Sequence, residues 1–186
     1  MPDLFGLVAR FYDRFAGRPS PEPWLQDLAV GPGERLLDLG GGTGRVSQAL
    51  AAGGAVVVCD LSPGMLVQAR RKGLPACRGR AEALPFSTEA FDTLLVVDAF
   101  HHFADQRAAV AEMLRVLRRG GRLVLVEPDI RWPPMTLVSW GERLLGLRSR
   151  ILPLEELAGL FALYGGEVVE RERRRVRVVL IVRRRS

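Results

Sequence analysis

Residues 35–50 read RLLDLGGGTGRVSQAL: an apolar run carrying Asp38, then four glycines between Gly40 and Gly44, then a segment of helical character. Glycine gives up more backbone freedom on folding than any other residue, so such a cluster marks a chain that must take positive φ and come close to a ligand. Strand, glycine turn and helix in that order open a doubly wound α/β sheet. Ligands of such sheets lie beyond the carboxyl ends of the strands, where the strand order reverses.

Toward the C-terminus the same alternation continues. AVVVCD (55–60) is a second strand. LSPGMLVQARRKG opens a helix with Ser62 as N-cap and Pro63 at its first position, and Gly73 stops it. ACRGRAEAL gives a weaker third strand and FDTLLVVDAF (91–100) a strong fourth. The helix DQRAAVAEMLRVLRRG (105–120) places Val110, Met113, Leu114 and Leu117 on one face and closes at Gly120-Gly121. GRLVLVEPD is a fifth strand and PLEELAGLFALYGG a further helix. EVVERER and VRVVLIV, joined by an arginine-rich turn, read as a hairpin and so as an antiparallel edge on a parallel sheet. The expected fold is α/β: a Rossmann-like, doubly wound, seven-stranded sheet, mostly parallel with an antiparallel C-terminal strand, in a single domain over residues 1–186. Residues 1–30 and 130–152, the latter with Trp132, Pro133, Pro134 and Trp140, fit neither pattern and are expected to cover the substrate region.

The composition bounds the class. At 186 residues, 48% hydrophobic and 26% charged, the chain reads as a soluble protein able to bury its own core. Two cysteines, Cys59 and Cys77, make no disulfide scaffold. No basic leader precedes a long apolar run and no stretch is long enough for a membrane span, so a cytoplasmic location is expected. The net charge is +6, but Lys72 is the lone lysine among 27 basic residues. An arginine preference that complete reflects general composition rather than a nucleic-acid surface.

The ligand follows from what surrounds the glycines. A dinucleotide turn needs G-x-G-x-x-G, but the sixth position is Arg45 counted from Gly40 and Ser47 counted from Gly42. No triphosphate-binding G-x-x-x-x-G-K is present either. Asp38 at the head of the turn repels phosphate and suits an ammonium group, while Asp60 at the end of the next strand is placed for ribose hydroxyls. A ribose and a cation without phosphate describe S-adenosylmethionine.

The chain resembles a class I S-adenosylmethionine-dependent methyltransferase of the small-molecule type related to ubiquinone and menaquinone biosynthesis. LLDLGGGTGRVSQAL resembles that family's D-x-G-x-G-x-G motif, and VVVCDLSPGMLVQAR its acid followed by S-x-x-M-L. AEALPFSTEAFDTLLVVDAFHHF, MLRVLRRGGRLVLVEP and ARFYDRFAG resemble three further segments in the same order, with Arg119 where proline is usual. The resemblance spans nearly the whole chain. It implies that Gly40, Gly42 and Gly44 line the methionine and ribose portions of the cofactor, that Asp38 holds the ammonium and that Asp60 holds the ribose. It also implies that Leu61 and Met65 pack on the adenine, that the backbone at Ala81 meets the adenine edge, and that Val97 and Asp98 face the methionine end. Tyr12, in an N-terminal cap helix, would cover the amino-acid portion. Arg80 stands where the family commonly has an aspartate that accepts from the adenine amino group; either Glu82 or a backbone carbonyl then takes that role, or the adenine is held mainly by apolar contact.

The resemblance implies a small-molecule methyl acceptor, S-adenosyl-L-homocysteine as product, and no metal. Methyl transfer from a sulfonium needs alignment above all, and a base only where the acceptor starts protonated. His101 and His102, just beyond the fourth strand, are the candidate catalytic residues, and as neighbours they are expected to point apart. Glu127 and Asp129 end the fifth strand at the same rim and are candidates to orient an acceptor. RERRRVRVVLIVRRR raises the rival of an RNA or protein methyltransferase. Against a nucleic-acid substrate, D-A-F-H-H stands where base-modifying relatives carry N/D-P-P-Y/F, and charged residues commonly protect edge strands. A non-catalytic cofactor-binding protein or an NAD-binding module is the other rival. The short 130–152 segment leaves a pocket either open or completed by a second subunit in a homodimer.

Overall fold

The computed structural model describes residues 30–51, 53–131, 149–173 and 176–186 with their side chains, Arg174 by its backbone, and Gly6, Ala9 and Leu28 singly. Tyr12, most of the 1–30 cap and most of the 130–152 cover lie outside the described residues.

Apolar runs become strands buried on both faces. In the strand β4 (Phe91–Val97), Leu94 and Val96 join one core and Leu95 the other. In β5 (Leu117–Pro128), Leu123 and Leu125 alternate with Val124 and Val126 in the same way. In β7 (Arg177–Arg184), Val178, Leu180 and Val182 face the first core, with Val179 and Ile181 facing the second. The period of two thus divides one continuous apolar sequence between two layers.

The other strands are β1 (Arg35–Leu39), β2 (Ala55–Asp60), β3 (Ala76–Arg78) and β6 (Gly166–Arg174). They form one seven-stranded sheet in the order β3-β2-β1-β4-β5-β7-β6, parallel from β3 to β5 and antiparallel at β5–β7 and β7–β6. The antiparallel edge expected from the two C-terminal strands is present. β7, almost wholly buried, inserts between β5 and β6, and the charged β6 takes the edge. Strand order reverses between β1 and β4, whose carboxyl ends lie side by side.

Four helices complete the described residues: α1 (Ser47–Leu50), α2 (Pro63–Arg71), α3 (Gln106–Val116) and α4 (Leu154–Leu163). Ser62 caps α2 as expected, its side chain accepting from Met65 N–H at 3.2 Å behind Pro63 at the first turn. α3 stops at Val116, short of the expected Gly120, because Leu117 turns extended and pairs with Phe91. Asp105 caps the other end of α3 through Arg107 and Ala108 N–H, each at 3.0 Å. Met113 of α3 and Phe161 of α4 fill the first core layer, fully buried against the sheet.

Candidate active site

The glycine turn and the end of β2 form one hydrogen-bonded unit. Gly40 N–H donates to the Cys59 carbonyl at 2.7 Å. Asp60 accepts with both oxygens, Oδ2 from Gly42 N–H at 2.9 Å and Oδ1 from Ser62 N–H at 2.8 Å. Its carboxylate thereby fixes the glycine turn against the start of α2. Gly40 and Gly44 carry φ of +72° and +69°, and a Cβ on them would overlap Ala99 Cβ and Leu74 Cδ1 respectively. Neighbouring elements therefore demand those two glycines. At Gly42, with φ +55°, a Cβ would find only Met65 Sδ at 3.7 Å, so this part of the turn is open.

Asp38 lies beneath the turn. It is 2% exposed, accepts from Ser47 Oγ–H at 2.6 Å, and would sit 2.5 Å from a Cβ placed on Gly41. Burial pushes its carboxyl up from 3.8 to about 6; the Ser47 hydrogen bond opposes this, the nearby Asp60 charge adds to it and Arg45 opposes it. Leu61 stands exposed beyond Asp60, while Met65 and Ala81 are buried. A bridge between Arg80 and Ala83 holds the turn around Ala81. Glu82, one of the alternatives for the adenine amino group, is bonded to the residues ahead of α3. Its Oε1 accepts from Ala104 N–H at 2.8 Å and Asp105 N–H at 3.2 Å, and its Oε2 lies 3.4 Å from Arg80 Nε. Amides ahead of a helix have no intrahelical partner and draw a carboxylate, which accounts for these bonds.

The second half of the rim is built at the ends of β4 and β5. Val97 ends β4 half-buried, and Asp98 follows with φ +51°, a conformation a non-glycine residue seldom takes. Asp98 Oδ2 lies 2.9 Å from a guanidinium nitrogen of Arg177. Burial still raises the Asp98 carboxyl, with Arg177 the strongest opposing influence. A single 3-10 turn, Phe100–His102, comes next. Glu127 of β5, 3% exposed, accepts with Oε1 from Ala99 N–H (3.0 Å) and Phe100 N–H (2.9 Å). Its Oε2 accepts from His101 N–H (3.3 Å) and lies 2.6 Å from His101 Nδ1. His102 Nδ1 is 3.0 Å from Ser149 Oγ, and Arg150 N–H donates to the His101 carbonyl at 2.8 Å.

The two histidines do not point apart as expected. Their ring centroids are 4.0 Å apart at 49°, because the tight 3-10 turn and the 149–150 segment hold both rings on one side. Ser47, Ser149 and Arg177 were not legible as site residues in the sequence, since each meets its partner only through the fold. Cys59 and Cys77 are in register on adjacent strands away from this rim, and burial pushes the Cys59 thiol well up. Arg45 acts on both Asp38 and Asp98, so the two halves adjoin.

A glycine turn over a buried acid, a second acid ending the next strand, and a polar rim at the switch between β1 and β4 make up the candidate site. Residues 37–125 match the family model described as a methyltransferase domain. A demethylmenaquinone methyltransferase from Mycobacterium sp. (strain KMS) is 44% identical over 132 residues, covering 67% of this chain and 57% of the relative. The chain thus spans little more than half the length of the curated relatives it matches. Among solved structures, a Haloferax volcanii chain in complex with the Trm112 methyltransferase activator superposes with a TM-score of 0.83 at 19% identity, over 100% of both chains. An S-adenosylmethionine-dependent methyltransferase from Mesorhizobium loti superposes with a TM-score of 0.74 at 19% identity, over 87% of this chain and 96% of that one. Over residues 37–125 the chain is similar to the methyltransferase domain family, and over 132 residues to the demethylmenaquinone methyltransferases.

Proposed function

We propose that the chain binds S-adenosylmethionine over the Gly40–Gly44 turn and methylates a small-molecule acceptor at the rim formed by β4, β5 and residues 149–150. The observation that carries this reading is Asp60. Two backbone amides, those of Gly42 and Ser62, hold its carboxylate at the carboxyl end of β2 beside the glycine turn.

The residues present fit this cofactor. The carboxylate of Asp60, at the carboxyl end of β2, is an acceptor of the kind that ribose hydroxyls require. Leu61 offers an exposed apolar surface and Met65 a buried one beside the turn, suited to the two sides of an adenine. Asp38 supplies the negative charge that a cationic amino-acid end requires, screened from water by the turn above it. With Glu82 engaged at α3, the adenine amino group falls to a backbone carbonyl near Ala81.

When bound, the cofactor supplies a methyl group on a sulfonium, already activated toward nucleophiles. The chain's own part is to align the acceptor and exclude water, which places His101, His102, Asp98 and Arg177 at the acceptor's end. The relatives named for demethylmenaquinone support a small organic acceptor. Incubation with S-adenosylmethionine and fractionated metabolite extract, read out as S-adenosylhomocysteine, tests the proposal. Release by the wild type and loss of release in Asp60→Ala are expected. A chain that binds the cofactor yet releases none with any fraction would be a binding protein instead.

A further inference from the structure

We propose that the groove between α4 and the edge strand β6 takes an extended peptide strand from a partner protein, one in which apolar and basic residues alternate. Among the described residues no strand lies beyond β6, so its outer edge offers a template for a further strand. An open groove of about 410 Å³ runs beside that edge, with Ala158, Gly159 and Ala162 of α4 on one side and Val168 and Val169 of β6 on the other. A register shift between Val168 and Glu170 makes Val169 an extra residue of the strand, and it stands 49% exposed. Gly159 lies inside α4 without a positive φ, and a Cβ on it would meet nothing within 4 Å. Neither backbone nor packing demands this glycine, which weakens a helix relative to alanine. What it does is leave the wall of the groove open.

The charges say which strand fits. Directly opposite residues of paired strands share a face, and Val178, Leu180 and Val182 of β7 face the first core. Their partners Arg173, Arg171 and Val168 therefore stand on the groove side of β6, and Glu167, Glu170 and Glu172 on the other. On the groove side the cations are met by acids: Arg171 lies 2.6 Å from Glu155 of α4, and Arg173 3.9 Å from Asp129. The three glutamates stand opposite Arg183, Ile181 and Val179, so one cation faces three acids. In a chain of net charge +6, this face of the edge is acidic. A strand that turns apolar side chains into the groove turns the alternate ones toward the glutamates, where lysine or arginine is complementary. The same acids reject an acidic strand, and a second copy paired antiparallel would bring the two glutamate faces together.

Fluorescein-labelled, capped heptapeptides titrated with the full chain test this by anisotropy. A peptide alternating lysine and valine is expected to bind on the order of tenfold more tightly than the same residues in two blocks, or than alternating glutamate and valine. Hydrogen exchange at the outward amides of β6 is expected to slow on binding, with β3 at the opposite edge unchanged. Gly159→Leu fills the groove and favours the helix. It should weaken the lysine peptide on the order of tenfold without lowering the melting temperature. Glu170→Lys should turn the preference toward the glutamate peptide. Equal affinity for the three peptides, binding of none, or an unchanged preference in Glu170→Lys overturns the proposal. Binding that leaves the β6 amides unprotected overturns strand addition. Self-association of the free chain that Gly159→Leu abolishes makes a second copy the occupant instead. Outward amides of β6 as protected in the free chain as those of β5 make another part of this chain the occupant, which overturns it equally.

Discussion

The glycine-turn half and the histidine half of the rim are assembled by different rules. In the first, the bonds are short in sequence: Asp38 meets Ser47 nine residues on, Asp60 meets Gly42 across 18 and Ser62 across two. In the second, Glu127 reaches back 26 to 28 residues to the turn after β4, and Ser149 lies 47 residues from His102. The first half is a local motif whose spacing is its geometry. The second exists only once β4, β5 and β7 stand side by side.

Substitutions that touch each half separately sharpen this contrast. The largest effect is expected from Gly40→Ala. Its Cβ would overlap Ala99 Cβ, a group close to the backbone and unable to swing away, and φ is +72°. Strain and overpacking together cost about 3 kcal/mol, a fall in melting temperature on the order of 10 °C. Gly42→Ala, with space for its methyl, should cost only about 1 kcal/mol. Equal losses at the two positions would show that packing against Ala99 is not what demands Gly40.

Next is the buried acid. The folded Asp38 carboxyl holds its proton up to about 6 against 3.8 for the ordinary group. Stability from this group is complete below 3.8 and is lost as pH rises through about 6, by about 3 kcal/mol in all. Asp38→Asn should lack that slope when melting is followed from pH 4 to 7 and compared with the wild type. The same variant should bind S-adenosylmethionine about tenfold more weakly, since it lacks the charge for an ammonium. Identical pH slopes in the two proteins would remove Asp38 as the source.

Arg177→Met should act on the other half alone. It leaves Asp98 without its partner at 2.9 Å, costs about 1 kcal/mol of stability, and raises the KM for acceptor. The smallest change is expected from Arg80→Asp, which supplies a missing hydrogen-bond acceptor and should tighten cofactor binding a few-fold, about 1 kcal/mol or less. Weaker binding in that variant would mean that residue 80 does not face the adenine.

The same contrast decides what the sequence discloses. Strand and helix order, the Ser62–Pro63 cap and the two acids are readable because each depends on residues within one strand–turn–helix unit. The end of α3 was misplaced because the pairing of Leu117 with Phe91, remote in sequence, outweighs the glycine stop at Gly120. The hairpin shows that β6 and β7 pair, but not which of them docks on β5. For Glu82 the sequence leaves the partner open, because the amides that meet its carboxylate lie 22 and 23 residues away at the start of α3. Glu127 looked like one more acid at a strand end. Its burial and its bonds to three consecutive amides appear only when β5 lies against β4.

Calorimetric titration of the chain with S-adenosylmethionine, S-adenosylhomocysteine and NAD, repeated on Asp60→Ala, bears on all of this at its root. Saturable one-to-one binding of the first two, loss of both in the variant and no heat from NAD are expected. Binding of NAD with none of S-adenosylmethionine would contradict the site as described.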